Sequence, residues 1–368
     1  MKIYEFLVIL FIGILAKFAF DRMEDKTTTS KMRAVIREWG YLVFKRAYAI
    51  PSHGNKDVLV RIHAAAINPV DYKAPKIILG PIAGLDFSGV VESVGTSVTQ
   101  FNKGDEVYGK VKGSLADYAV ANPDEIAIKP KSISFAEAAA MPVTYLTSLQ
   151  ALRDYGGLKE NGRVLVIGAS GGCGIAALQL AKSMGAGHIA AVCSGKNSDL
   201  VKFHGADEVI DYTKHNVVNY FRGNSEDGEI SDAQKFDVIY DAASNSGAGE
   251  DYRPCSAQLL CQDDKEANKK HGQYVAINGG IDMWLRLFTI GQKKNHHLFL
   301  TNTNTADLNT LSNLTDNGWN GKDGGQNKLS PIIAKLFPFS AENVEKAFEL
   351  LKSRRVVGKI VFDMLEGK

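Results

Sequence analysis

The spacing of apolar residues divides this chain into two unlike halves. Between positions 32 and 131 they come in short alternating or β-branched runs broken by Gly, Pro and Asp, as at 58–62, 89–94 and 117–120. That is the period of half-buried strands. At Phe135 the pattern changes to Ala-rich stretches with helical spacing, 136–141 and 144–155, after which strand-like and helix-like segments alternate. Strands are expected at 163–168, 188–193, 208–212, 236–241, 273–278 and 298–302. Such alternation predicts a parallel sheet flanked by helices, and six strands suit a doubly wound dinucleotide fold. Polar stretches at 223–235, 247–272 and 303–326 read as surface insertions. Beyond them, 341–352 predicts an amphipathic helix with Val344, Ala347, Phe348 and Leu351 on one face, and 358–362 a last strand.

Length and composition narrow the class. At 368 residues the chain exceeds what one hydrophobic core usually serves, so two domains are expected. With 45% hydrophobic and 23% charged residues it is too apolar for disorder and too charged for a polytopic membrane protein. The net charge is +2 and no Lys/Arg cluster interleaves with aromatics, so nucleic acid is not an expected partner. Cys173, Cys193, Cys255 and Cys261 are too scattered for a disulfide framework and fit a reducing compartment.

The N-terminus departs from this picture. Residues 6–16 form an unbroken apolar run of eleven, extended by Phe18, Ala19 and Phe20 past Lys17. Eleven residues suit the apolar stretch of a signal peptide, whereas 3–20 just cross a thin bilayer if Lys17 reaches the interface. No small-x-small cleavage site follows, which favours an uncleaved anchor and hence a membrane-associated or organellar location for a soluble catalytic body. A buried or surface-lying helix is the alternative. Polar residues 21–31 read as a linker.

Candidate chemistry centres on one turn. Arg163-Val164-Leu165-Val166-Ile167 reads as a buried strand, Ala169-Ser170-Gly171-Gly172-Cys173-Gly174 as a turn, and 175–183 as an apolar-faced helix. Small residues there let backbone N–H groups approach a pyrophosphate at the positive helix end, and Gly174 permits close packing of helix on strand. Ala169 replaces the first glycine, and a purely structural turn is the other reading. About twenty residues on, where an NAD site places an acid to hold the ribose 2′-hydroxyl, the chain has Cys193-Ser194-Gly195-Lys196-Asn197. Lys196 and Ser194 offer a cation and a hydroxyl to a 2′-phosphate, favouring NADPH, unless Lys196 is simply a solvated loop lysine. Tyr212, ending the next strand, adds a hydroxyl or a face for adenine.

Three further motifs precede this unit: Asn68-Pro69-Val70-Asp71-Tyr72-Lys73, Gly84-Leu85-Asp86-Phe87-Ser88-Gly89 and Gly104-Asp105-Glu106-Val107-Tyr108-Gly109. With Ala138-Ala139-Ala140-Met141-Pro142 and Gly205-Ala206-Asp207-Glu208-Val209-Ile210-Asp211-Tyr212, the chain resembles the zinc-free quinone oxidoreductases of the medium-chain dehydrogenase/reductase superfamily. The resemblance runs from about Met32 to the C-terminus, less the polar insertions. It implies an α/β protein in which a chaperonin-10-like β-rich catalytic domain encloses a Rossmann domain. The expected boundaries are 1–31 for the N-terminal segment, 32–150 for the catalytic domain, 151–305 for the Rossmann domain, and 306–368 for a polar insertion and the return to the catalytic domain.

Zinc-using members of that superfamily carry a cysteine where this chain has Asn68 and a His-Glu pair where it has Leu85-Asp86, so the resemblance implies no catalytic zinc. The structural zinc lobe needs four close cysteines, and none lies between 68 and 141. Adjacent His296 and His297 read as a surface pair, not as metal ligands. No metal residues are expected. Without a Lewis acid, alcohol oxidation is disfavoured, whereas hydride transfer from NADPH to a quinone or an α,β-unsaturated carbonyl needs positioning and a proton source.

The resemblance implies catalytic roles for Asn68, on the acceptor or the nicotinamide ribose, and for Asp71 or Tyr72, on the proton. It places Thr147, Asn278 and Lys359 with the cofactor-binding set Ser170, Gly171, Gly172, Cys173, Gly174, Ser194, Lys196, Asn197 and Tyr212. Asn68-Pro69 also suits a plain turn and Asp71 a helix cap. Tyr145 is an alternative hydroxyl whose bulk narrows the pocket. Members of the family are frequently dimers, so a homodimer is expected. Two other functions stay open: an enoyl-thioester reductase, and a membrane-tethered NADPH-binding scaffold with little turnover.

Overall fold

The alternating run at 58–62 is the first half of a longer strand, Val58–Ile67, whose buried and half-buried residues alternate as far as His63. From Ala64 to Ile67 every residue is buried, because the sheet is covered on both faces there. Ala64 and Ala66 meet Ala139, Ala140 and Val361 on one face, while Val58, Val60, Ile62, Ala65 and Ile67 join a larger cluster with Phe87, Phe339 and Phe362 on the other. The short side chains let helix Phe135–Ala139 approach the strand closely. The computed structural model describes residues 31–366 except 75, 224–228, 245–250, 263–270, 290, 293 and 322–325.

Val58–Ile67 sits in a seven-stranded sheet. Its order is Ile333–Pro338, Lys359–Asp363, Val58–Ile67, Asp86–Val94, Glu106–Lys110 and Ile126–Ile128, with Tyr118–Ala121 also pairing to Val58–Ile67. Helix Ala341–Lys352 carries the chain between the parallel neighbours Ile333–Pro338 and Lys359–Asp363. Its capping hydroxyl is Ser340, and Val344, Ala347 and Phe348 are its buried face. A hairpin, Lys31–Glu38 with Tyr41–Ala49, bridges Ala116 and Ile82, just outside the strands of this sheet, through Ala34 and Ile36.

The second sheet is parallel, in the order Glu208–Asp211, His188–Cys193, Arg163–Ile167, Val238–Asp241, Gln273–Ala276 and His296–Leu298. In chain order this is 3-2-1-4-5-6, the expected doubly wound arrangement, whose strand order reverses between Arg163–Ile167 and Val238–Asp241. Ligands of such sheets bind beyond the strand C-termini at that reversal.

Three expectations are corrected. The sixth strand lies upstream of 298–302, so His296 and His297 are not a surface pair: His296 bonds Ser256 Oγ at 2.9 Å and His297 bonds Gln273 Oε1 at 2.9 Å. The stretch 303–326 is not simply a surface insertion. It contains helix Thr305–Asp316, whose Leu308 and Leu311 are fully buried and whose Leu308 carbonyl accepts from Tyr108 Oη at 2.7 Å. Its polar sequence hides this role because Asp307 is consumed internally, by Arg153, Gln150 and Asn304. The expected membrane association is corrected too: among the described residues no helix is long and apolar enough to cross a membrane, and 3–20 lie outside those residues.

Candidate functional site

The first strand of the parallel sheet, Arg163–Ile167, leads through Gly168, at φ +76°, into the turn that starts helix Gly172–Ser183. A side chain at Gly174 would stand 2.3 Å from the Gly168 carbonyl oxygen and 2.5 Å from Ala169 Cα, so helix and strand approach each other only because this residue is glycine. The helix is capped by Gly171 with no side-chain acceptor, leaving its first N–H groups to an anionic ligand. Ser170 to Cys173 are half-buried, open on one side. The Cys173 thiol is pushed up to about 11 by burial, so it stays protonated at neutral pH.

The last strand meets this turn. Gly358 pairs with Gly171, its N–H donating to the Ser170 carbonyl at 3.3 Å, and the stem of Lys359 lies where a side chain on Gly172 would touch it. Lys359 does not end in the turn. Its Nζ donates to the Ile67 carbonyl at 3.0 Å, to Asp86 Oδ2 at 3.1 Å and to Asn68 Oδ1. Asn68 Nδ2 in turn donates to Asp86 Oδ2 at 2.8 Å, and Asp86 Oδ1 accepts from Val143 N–H at 2.8 Å. All three side chains are buried. The ammonium thus has all three N–H groups engaged, and the amide of Asn68 is fixed with its oxygen on Lys359 and one N–H on Asp86. Among the described residues the second N–H of Asn68 meets no acceptor.

Asn68 ends strand Val58–Ile67, and Pro69 starts the short helix Pro69–Lys73. One turn on, the fully buried Asp71 accepts the Asn68 N–H at 2.7 Å through Oδ2, and its own carbonyl accepts from Arg37. Desolvation raises the Asp71 carboxyl to about 7, the Asn68 N–H, Lys359 and Arg37 opposing and Asp86 adding to the rise. Tyr72 is half-buried, with Lys352 Nζ 5.6 Å from its ring centre. Lys73 is held below the ordinary lysine value by partial desolvation and by Arg354. This Lys73–Arg354 proximity is a feature that no sequence motif carried, since the two residues are far apart in the chain.

At the end of the second strand, the Ser194–Asn197 turn is the most open part of the region: Ser194 and Asn197 are half-buried, and Lys196 and Tyr212 are exposed. The sequence places no acid in this turn, but the structure brings one to it. Asp211, paired with Cys193 across the two parallel strands, packs against Gly195, where a side chain would stand 2.3 Å from its carboxylate. Its charge is held by the Thr213 hydroxyl and N–H groups, which lower its pKa. Thr147 Oγ1 bonds Thr301 Oγ1 at 2.6 Å, and Asn278 follows strand Gln273–Ala276 with its Nδ2 near the Ser244 carbonyl. Tyr145 is not an open hydroxyl: it is buried in the core, its Oη accepting from Gln179.

The donors around Asn68 are an amide, a carboxylate and an ammonium, a set that does not bind zinc. Residues 54–149 match the alcohol dehydrogenase GroES-like domain, and residues 204–362 match the zinc-binding dehydrogenase family. The glycine turn lies between the two matches. The chain is 31% identical to the 2-methylene-furan-3-one reductase of Solanum lycopersicum, over 92% of this chain and 81% of that protein. It is 28% identical to the NADPH-dependent alkenal/one oxidoreductase, chloroplastic, of Arabidopsis thaliana, over 94% of this chain and 83% of that one. Among solved structures it is similar to the quinone oxidoreductase from Coxiella burnetii, with a TM-score of 0.71 and 27% identity, over 91% of this chain and 100% of that chain.

Proposed function

The chain belongs to the medium-chain dehydrogenase/reductase superfamily, in its zinc-free quinone oxidoreductase branch, and from that premise we propose that it uses NADPH to reduce a quinone or an α,β-unsaturated carbonyl. The observation that carries this reading is the bonded Asn68–Asp86–Lys359 cluster beside an open glycine turn. Relatives matched over most of their length and named for NADPH, alkenals and quinones support it. When bound, NADPH supplies the hydride.

The residues of the chain do the rest. Ser170, Gly171, Gly172, Cys173 and Gly174 hold the pyrophosphate at the helix end. Ser194, Lys196, Asn197 and Tyr212 take the 2′-phosphate, with Asp211 shaping the turn beneath them. Thr147 and Asn278 border the nicotinamide half. Lys359 backs the turn with its stem and orients Asn68 with its ammonium, so its own part in cofactor binding is indirect. Asn68 gives its remaining N–H to the acceptor oxygen, where negative charge develops during reduction. Asp71 and Tyr72 manage the proton. The domain boundaries stay with this reading at 32–150, 151–305 and 306–368, and the homodimer with the resemblance.

Purified protein is expected to oxidise NADPH when given a quinone or an enone, followed by loss of nicotinamide absorbance and analysis of the product. No acceptor-dependent oxidation with either class overturns the proposal.

A further inference from the structure

Strand Glu208–Asp211 ends in a carboxylate that shapes the turn above it, yet a charge acts beyond the atoms it touches. Parallel pairing sets Asp211 beside Cys193, the residue that leads into the Ser194–Asn197 turn. A side chain on Gly195 would stand 2.3 Å from Asp211 Oδ2 and 3.0 Å from its Cγ. One carbon–carbon bond adds ~1.5 Å, so the carboxylate lies within about 4 Å of the Gly195 Cα. The neighbours of Gly195 in the chain are Ser194 and Lys196, two of the side chains proposed to meet the 2′-phosphate.

Little in the protein neutralises this carboxylate. Its Oδ1 accepts from Thr213 N–H at 3.0 Å and from Thr213 Oγ1 at 2.7 Å, two neutral donors that fix the charge without cancelling it. Its ion-pair partner is Lys214, whose Nζ stands 3.9 Å from Oδ2 and whose side chain is 73% exposed, so solvent screens the pair. Asp86 is the contrast, with the buried Lys359 ammonium 3.1 Å away. The Thr213 hydroxyl first, then its N–H, the Gly195 N–H and Lys214, hold the Asp211 carboxyl below the ordinary aspartate value against partial desolvation, so it is charged at neutral pH. That charge is felt at the end of the neighbouring strand. After burial, it is the second cause that pushes the Cys193 thiol up to about 11.

Resting on the NADPH site proposed above, we propose that Asp211 is a specificity-determining residue of that site, whose negative charge weakens a 2′-phosphate bound at Ser194 and Lys196 and so keeps NADH competitive with NADPH. A phosphate monoester carries about −1.5 to −2 charges at neutral pH, whereas the ribose 2′-hydroxyl of NADH carries none. Lys196 attracts the phosphate and Asp211 repels it, while the hydroxyl responds to neither. Cofactor choice is therefore the balance of a cation on the turn and an anion beneath it.

Nucleotide fragments test this without turnover. Calorimetric titration of the whole protein with adenosine 2′,5′-bisphosphate and with adenosine 5′-phosphate reads the contribution of the 2′-phosphate as a ratio of affinities. At low ionic strength Asp211→Asn should raise that ratio by about 3- to 10-fold, by tightening the bisphosphate. The gain should shrink by at least about half in roughly 1 M salt, where the Debye length is ~3 Å. Asp211→Glu, which disturbs the turn but keeps the charge, should leave the ratio within about 2-fold of wild type. A merely structural role for Asp211 would move both fragments together and would not respond to salt. An unchanged ratio in Asp211→Asn, a gain that persists in full at high salt, or the same gain in Asp211→Glu overturns the proposal. A wild-type protein that binds the bisphosphate no better than the monophosphate strikes the NADPH reading itself, and the role of Asp211 with it.

Discussion

The Asn68–Asp86–Lys359 cluster and the Ser194–Asn197 turn are built in opposite ways. In the cluster every charged or polar side chain is buried and nearly every hydrogen-bonding group is already used within the protein. In the turn, Lys196 and Tyr212 are exposed, and the supporting Asp211 is bonded through Oδ1 to Thr213. A buried ammonium is tolerated only with its partners in place, so the cluster is organised by folding before any ligand arrives. An exposed lysine has no such demand, so in the reading proposed above the turn is organised by the ligand it receives. The expected consequence is that substitutions in the cluster change stability and chemistry together, while those in the turn change cofactor choice alone.

The sharpest way to break this contrast is Lys359→Met, which leaves Asp86 buried without its cation. It should cost about 3–5 kcal/mol in chemical denaturation, against less than about 0.5 kcal/mol for Lys196→Met. Equal losses would erase the distinction. Next in size is the pH dependence of stability set by Asp71. Its carboxyl loses the proton near pH 4 when unfolded and at about 7 when folded, so the folded state holds the extra proton between those values. Stability should therefore fall as pH rises through that window, by roughly 2–4 kcal/mol, and level off above it, and Asp71→Asn should lack this slope.

Gly174→Ala, which forces a methyl against the Gly168 carbonyl, should destabilise by about 1–3 kcal/mol and weaken NADPH and NADH alike, as titration of both would show. Lys196→Glu should instead leave the denaturation midpoint unchanged and lower the preference for NADPH over NADH by about 10- to 100-fold. Parallel loss of both nucleotides would place Lys196 away from the 2′-phosphate. The smallest effect is expected for Tyr212→Phe, a weakening of NADPH binding by about 2- to 5-fold if its hydroxyl meets that phosphate.

Local pattern carried most of the fold. The alternation at 58–62, the alanines at 136–140 and the glycine turn all report backbone geometry, and such geometry is decided by nearby residues. Errors came where a neighbour far along the chain decided the outcome. Helix Thr305–Asp316 looked like surface because its polar residues are satisfied by Gln150 and Arg153, which lie more than 150 positions away. The sequence alone leaves the Ser194–Asn197 turn without an acid, yet strand pairing sets Asp211 beside it.

By itself, the sequence determined the two architectures and the glycine turn, because each depends on which residue types stand at short spacings. Tertiary structure alone decided what the released positions do. It showed that Lys359 reaches past the glycine turn to hold Asn68 and Asp86, and that Asp71 is buried with one oxygen unpaired among the described residues. The reason is physical: a charge acquires its meaning from its desolvation and its partners, and those are assembled only when segments almost 300 residues apart, at 68 and 359, fold against one another.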